Sequence, residues 1–409
     1  MSNDPILINV SMVQAVALAI ITYWLGHAIK ERVGLLQKFS IPTPVVGGML
    51  CALLLSFLEY QGFVKVKFDS TLQTLLMLGF FTTIGLMASV KLVTEGGKLL
   101  VGFLVACSVL AVLQNVLGIG VASLMGIDMH YGILAGSVSM MGGLGTSAAF
   151  GPYFEQTYGI TGGTAMAITA ATFGMVAALM IGGPFGEWLI RRYRIKTPDL
   201  HEDAPLHVPT EVEAGILHER SGSEPTFTNE LMKAVSIVTL CLAFGTVVSN
   251  FLGQYITLPA YIGSMIVAAL VRNVGDYSGL YKVQGKGLDA VADICLILFV
   301  TMAINSLKLH ELLNLAGPLV LMLVLQTVLM LLYAWFVIFL LMGRNYTGVM
   351  LTVGGIGFSM GATANGLANM QALSEKYGTC PQAWLIVSVV GAFLIDLINA
   401  LVITWMATL

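Results

Sequence analysis

Ser139-Met140-Met141-Gly142-Gly143-Leu144-Gly145-Thr146-Ser147-Ala148-Ala149-Phe150-Gly151 is an uncharged, glycine-rich stretch with small hydroxyl side chains, set between long apolar segments. Glycine costs a helix interior roughly 1 kcal/mol relative to alanine, so a continuous helix through this stretch is disfavoured. A related stretch lies in the second half of the chain: Gly354-Gly355-Ile356-Gly357-Phe358-Ser359-Met360-Gly361-Ala362-Thr363-Ala364-Asn365-Gly366. Two breakable, glycine-rich segments in matching positions of two halves are the arrangement by which a secondary transporter builds its binding site.

The composition agrees. Of the 409 residues 57% are hydrophobic and only 10% charged, whereas soluble domains carry about a quarter charged residues. The chain therefore reads as an all-α integral membrane protein. A net charge of −3 without a basic cluster gives no reason to expect a nucleic-acid partner. Cys51, Cys107, Cys241, Cys295 and Cys380 lie in or beside apolar segments without metal-ligand spacing, so they read as small hydrophobes. No Lys or Arg precedes the first apolar run, which argues for a retained transmembrane helix over 6–27 and against a cleaved signal peptide.

Apolar runs of spanning length fall at 6–27, 42–59, 71–90, 98–125, 161–184, 231–252, 258–272, 287–307, 313–342 and 381–407. The stretches 131–151 and 346–370 could each span or dip in and return. The positive-inside rule separates these options. With the N-terminus outside and 131–151 re-entrant, all of the 19 Lys and Arg except Lys65, Lys67 and Lys308 face the cytoplasm. If 131–151 spanned, the cluster Arg191, Arg192, Arg194 and Lys196 would lie outside. The charges thus favour ten spans and two re-entrant loops, with both termini on the outer side. On the same count Arg272 is a topology anchor at the cytoplasmic end of its span.

Residues 187–230 carry Pro198, Pro205, Pro209 and Pro225 and read as a cytoplasmic linker. It separates an N-terminal repeat, 1–186, from a C-terminal repeat, 231–409. Matches recur in the same order: the Pro42 and Pro259 regions, Leu113-Gln114-Asn115 with Leu325-Gln326-Thr327, and Tyr158-Gly159 with Tyr377-Gly378. Five spans per repeat is an odd number, so the second repeat is inserted upside down and its loop enters from the opposite side.

Broken helices at membrane depth expose N–H and C=O groups to a cavity. Helix N-termini favour anions, while freed carbonyls and hydroxyls suit Na⁺. The candidate substrate-binding residues are therefore Gly143, Gly145, Thr146, Ser147, Gly361, Thr363, Asn365 and Asn369. The alternative, that the small residues only permit close helix packing, explains neither the repetition nor the charge pattern. Asp396 sits mid-span, where a carboxylate costs on the order of 3 kcal/mol without a partner, and Asn399 follows one turn later. Asp396 and Asn399, with Ser139 and Asn305, are the candidate Na⁺ ligands. Gln114, Asn115 and Gln326 read as interhelical hydrogen bonds and not as ligands.

At these residues the chain resembles the bacterial sodium/glutamate symporter family. The resemblance is carried by Ile41-Pro42-Thr43-Pro44-Val45-Val46-Gly47-Gly48, by the Gly142–Thr146 loop, by 361–371, and by the terminal segment 391–403 around Asp396 and Asn399. It implies Na⁺-coupled uptake of L-glutamate across the bacterial inner membrane, with Na⁺ as coupling ion and no organic cofactor. It also implies inverted repeats with opposed re-entrant loops and a homodimer, set in membrane lipid, whose transport domains move against a scaffold. Leu144, Ser147 and Asn365 stand where the family pattern commonly has His, Gly and Pro. A Na⁺- or H⁺-coupled carrier of another amino acid or of a small di- or tricarboxylate is the alternative. No catalytic dyad points to an enzyme.

Overall fold

The computed structural model describes residues 6–38, 41–198, 227–252, 259, 261–279, 281 and 285–409. Most of the expected linker, and the expected cytoplasmic Arg220 and Lys282, lie outside them. The architecture is helical, and among the described residues seven helices are long and apolar enough to cross a membrane.

Helices α1 (Met12–Arg32), α3 (Thr43–Tyr60) and α4 (Thr71–Met87) pack with α9 (Phe227–Leu252), α10 (Tyr261–Ser278) and α11 (Lys286–Asn305) as one bundle. A short helix, α2 (Gly34–Lys38), follows α1. The second bundle holds α5 (Val90–Leu124), α6 (Met129–Ile133), α7 (Gly143–Tyr158) and α8 (Gly163–Tyr193) from the first half. It also holds α12 (Ala316–Tyr333), α13 (Tyr346–Ser359), α14 (Thr363–Tyr377), α15 (Pro381–Val389) and α16 (Ile395–Met406) from the second. Each bundle is therefore built from both halves. The early helices of the halves meet each other, and so do the late ones.

At the centre of the second bundle α13 is buried on every side, from Gly348 through Ser359. It is apolar all round, as a helix without a solvent face must be. Helix α8, about 46 Å long, runs past both glycine-rich stretches. Near its end, Glu187 pairs with Arg191 and with Lys376 at the end of α14, and Tyr193 accepts the Trp335 Nε1–H at 2.9 Å. These cations, all expected on the cytoplasmic side, meet at one end of the bundle.

Several expectations are corrected. Residues 6–10 are not the start of a helix. Ile6–Val10 forms a strand, β1, that pairs in parallel with β2, Val64–Phe68. Ile-Leu-Ile-Asn-Val and Val-Lys-Val-Lys-Phe alternate or carry β-branched residues, which suits a pleated ribbon, and α1 begins only after Ser11, whose N–H donates to Gln14 Oε1 at 2.9 Å. The all-α description thus admits one small sheet. Helix α8 continues to Tyr193, beyond the expected linker start at 187, and α9 begins at Phe227. Arg272, expected as a topology anchor, is buried, and its Nε–H donates to Asp276 at 2.9 Å.

Candidate functional site

Both glycine-rich stretches break their helices. In the first, α6 passes through a widened π turn, Leu134–Val138, whose Gly136 is non-helical, and residues 139–142 form a turn before α7 starts at Gly143. In the second, α13 stops at Ser359 and α14 starts at Thr363. The two breaks touch. A Cβ placed on Gly143, whose φ is +60°, would come 2.5 Å from the Gly361 carbonyl oxygen, so position 143 requires glycine for both conformation and space. No side chain caps the start of α7 or of α14, which leaves two helix N-termini, each with partial positive charge, beside one crossing point.

Three helices hold the breaks in place. From α5, Asn115 Oδ1 accepts the Ser137 N–H at 2.8 Å, and Gln114 Nε2 donates to Ser359 O at 2.9 Å. From α8, the Ala167 carbonyl accepts from Ser139 Oγ at 2.9 Å. Further along α8, the Met175 and Ala178 carbonyls accept from Asn365 at 2.9 Å and Asn369 at 3.0 Å. Between these contacts, Gly174 admits the Met360 carbonyl so closely that a Cβ would overlap it. From the last helix, Gly391 O accepts from Thr363 at 2.6 Å, and Asn399 Nδ2 donates to Ser137 O at 3.0 Å. Gln326 Nε2 of α12 donates to the Gln114 carbonyl at 2.7 Å, so the interhelical role expected of Gln114, Asn115 and Gln326 is observed.

The candidate residues divide by their surroundings. Gly143 and Gly361 meet at the crossing. Ser139 and Ser147 are fully buried with hydroxyls 3.4 Å apart, and Thr146 is buried beside them in the first turn of α7. Gly145 faces Phe80 and Leu296 of the first bundle. Thr363, Asn365 and Asn369 use a donor each to fasten α14 to its neighbours. Asp396 is half-buried in the first turn of α16, between the Gly391 and Asn399 contacts along the chain. Asn305 is not at the crossing. Its Nδ2 donates to Thr22 Oγ1 at 3.1 Å, between α11 and α1.

Side-chain oxygens without partners lie buried at both breaks: Ser137 Oγ, with Asn399 Oδ1 on the amide that bonds Ser137 O, at the first, and Ser359 Oγ, with Gln114 Oε1 on the amide that bonds Ser359 O, at the second. Leaving such groups unpaired costs about 1–3 kcal/mol each. Among the described residues no group of three His, Cys, Asp or Glu is placed to hold a metal ion. Ser137 and Ser359 were not singled out from sequence, although the Gly136-Ser137-Val138-Ser139 spacing was the available signal.

A cavity of about 860 Å³ opens between the two bundles, with Ala148 and Pro152 of α7 on one wall and Met77 and Tyr261 on the other. Lys65, Lys67 and Lys308, the three cations assigned to the outer side, all line it. Its other end along α8, at Thr164, lies about 34 Å from the Glu187–Lys376 cluster.

A family model described as sodium/glutamate symporter matches residues 8–379. The chain is 39% identical over 387 residues to the sodium/glutamate symporters of Escherichia coli (strain K12) and Shigella flexneri, covering 94% of each chain. It is 35% identical over 398 residues to that of Haemophilus influenzae, covering 95% of each. With two broken helices crossing inside an apolar bundle, and this likeness along nearly its whole length, the chain belongs to the sodium/glutamate symporter family.

Proposed function

We propose that this protein carries L-glutamate into the bacterial cell across the inner membrane, coupled to Na⁺, by alternating access. The observation that carries the reading is the contact of Gly143 with the Gly361 carbonyl, where two uncapped helix starts converge. Substrate carboxylates bind at the first turns of α7 and α14, with Gly145, Thr146 and Ser147 on the α7 side. Asn365, Asn369 and Thr363 act as positioning residues that hold α14 in place. Na⁺ binds beside the first break among Ser137, Ser139 and Asn399, and Asp396 supplies the compensating charge. Asn305 orders the packing of α1 on α11.

In this reading ten helices span the membrane as two inverted repeats with both termini outside, and the two broken segments are opposed re-entrant loops. The gathering of the early helices of both halves in one bundle, and the late helices in the other, supports a scaffold and a moving transport domain in each protomer of a dimer. Where more Na⁺ than glutamate charge enters, each net charge contributes about 2.3 kcal/mol per 100 mV of membrane potential.

The test is uptake of labelled glutamate into proteoliposomes with an inward Na⁺ gradient or an inward K⁺ gradient. Accumulation is expected with Na⁺ alone, and accumulation indifferent to Na⁺ would overturn the coupling. Competition by aspartate, glutamine, malate and citrate separates glutamate transport from carriage of another amino acid or small carboxylate.

A further inference from the structure

The cavity between the bundles contains chemistry that the crossing does not use. Lys65 and Lys67 are alternate residues of β2, so both side chains leave the ribbon on one face, and both line the cavity. They are exposed, and among the described residues neither has a carboxylate within 4.0 Å. The acids nearby are already engaged. Glu311 lies 3.8 Å from Lys308, and Glu155 accepts the Thr164 N–H at 2.8 Å. With Lys65, Lys67 and Lys308 against Glu155 and Glu311, the lining carries a positive excess, and its unpaired cations are the two ribbon lysines.

Deeper in, the walls include two phenols. Tyr261 is fully buried, stacked on Phe81 at 4.0 Å and edge-on to Phe150 at 5.7 Å, and its hydroxyl has no partner. The Tyr153 hydroxyl is buried and unpartnered as well. Buried tyrosine hydroxyls ordinarily find a hydrogen-bond partner, so two orphans on one cavity mark a place where an acceptor binds. The inner wall at Ala148 and Ala149 belongs to α7, the helix that starts at the first break.

We propose that this cavity is an outer capture site for a small anionic amino acid: Lys65 and Lys67 attract its carboxylates, and the hydroxyls of Tyr261 and Tyr153 receive one of them before the solute reaches the crossing. The volume falls within the range of about 300–1,000 Å³ typical of small-molecule sites. It exceeds what one amino acid fills, so the solute enters hydrated and long-range charge dominates its capture. A cleft with an excess of one charge raises the local concentration and capture rate of the opposite ion, by about tenfold at the low end of the range for focused fields. The inference rests on the transport reading above and extends it from the binding site to the outer approach.

The experiment compares the wild type with Lys65→Gln/Lys67→Gln, Lys65→Arg/Lys67→Arg and Tyr261→Phe, measuring glutamate transport in right-side-out and inside-out membrane vesicles at constant Na⁺. The Gln pair should lower kcat/KM by about tenfold at low ionic strength through KM, with kcat retained. The deficit should shrink as choline chloride approaches about 0.5 M, where screening shortens the reach of the charges. It should occur only in right-side-out vesicles, and the Arg pair should restore the wild-type value. Tyr261→Phe keeps the ring packing and should raise KM several-fold without changing the salt dependence. An unchanged KM and salt profile in the Gln pair, beside normal Na⁺-driven uptake by the wild type, overturns the capture site alone. If the wild type instead carries a different anion, the transport reading fails, and the Gln pair must then raise KM for that anion or the capture site falls with it.

Discussion

Gln326 and Gln114 occupy matching positions in the two halves, and they touch: Gln326 Nε2 donates to the Gln114 carbonyl at 2.7 Å, while Gln114 Nε2 donates to Ser359 O at 2.9 Å. The two amides thus link α12 to α5 and α5 to the end of α13 in one chain of hydrogen bonds. The same neighbourhood contains the meeting of Gly143 with Gly361.

The two glutamines are not equivalent in cost. Gln114 O lies mid-helix, where it has a helical donor, whereas Ser359 O ends α13, where the last carbonyls have none. Both substitutions also remove a buried, unpartnered Oε1, so that gain is common to the two and the acceptor carbonyl sets the order. Gln114→Leu is therefore expected to cost about 1–3 kcal/mol and Gln326→Leu less, read as unfolding temperatures in detergent. Equal losses would assign the two bonds equal weight and contradict this ordering.

The glycines should rank by what surrounds them. Gly143→Ala meets the Gly361 carbonyl with φ at +60°, whereas Gly145→Ala meets the edge of Phe80 at 3.1 Å and a methyl of Leu296 at 3.5 Å. Uptake should be abolished in the first and largely retained in the second, with both proteins inserted at normal levels. Normal uptake by Gly143→Ala would show that the breaks do not have to meet for transport.

Sodium dependence should follow the oxygens at the first break. Asn399→Ala deletes an unpartnered oxygen and the bond to Ser137 O, and is expected to raise the Na⁺ concentration for half-maximal uptake about tenfold or more, since loss of one charge-assisted contact is worth about 1.5–3 kcal/mol. Asp396→Asn should flatten the Na⁺ response. Asn305→Ala, acting between α11 and α1, should leave the response in place while lowering thermal stability. A Na⁺ shift in Asn305→Ala and none in Asn399→Ala would move the cation site to the first bundle.

Burial separates two ion pairs in stability. Asp276→Asn removes the carboxylate that pairs with the buried Arg272 Nε and accepts from Ser89 Oγ at 2.5 Å. Breaking a buried pair from one side costs about 3–5 kcal/mol. Lys376→Gln, in an exposed pair with Glu187, should leave the unfolding temperature within error. A reversed order would mean that the Arg272 pair contributes nothing beyond its hydrogen bonds.

Much of the site was legible in the chain because broken helices need a conspicuous composition. Glycine at 142, 143 and 145, and around 361, signals backbone that leaves the helix, and both breaks fall there. Gln114 and Asn115 stood out because an amide in an apolar helix needs a partner. Asn305 was less legible. Its chemistry matches that of Asn399, and only the fold shows that one faces Thr22 and the other Ser137. The β1 strand was missed because five apolar residues next to a longer apolar run carry no signal of their own until Val64–Phe68 pairs with them.

Membrane class, helix positions, the two breaks and the family followed from the sequence alone, because hydropathy, glycine content and charge act locally and are written residue by residue. Which helices would be neighbours did not. The linear division into halves at 186 and 231 gives way in space to bundles that mix them, and Lys308, distant along the chain from Lys65 and Lys67, lines the same cavity as they do. Apolar helix faces are nearly interchangeable in composition. Close approaches such as Gly174 on Met360, and bonds such as Asn365 to Met175, depend on shape and on the partner's backbone, and these exist only once the chain has packed.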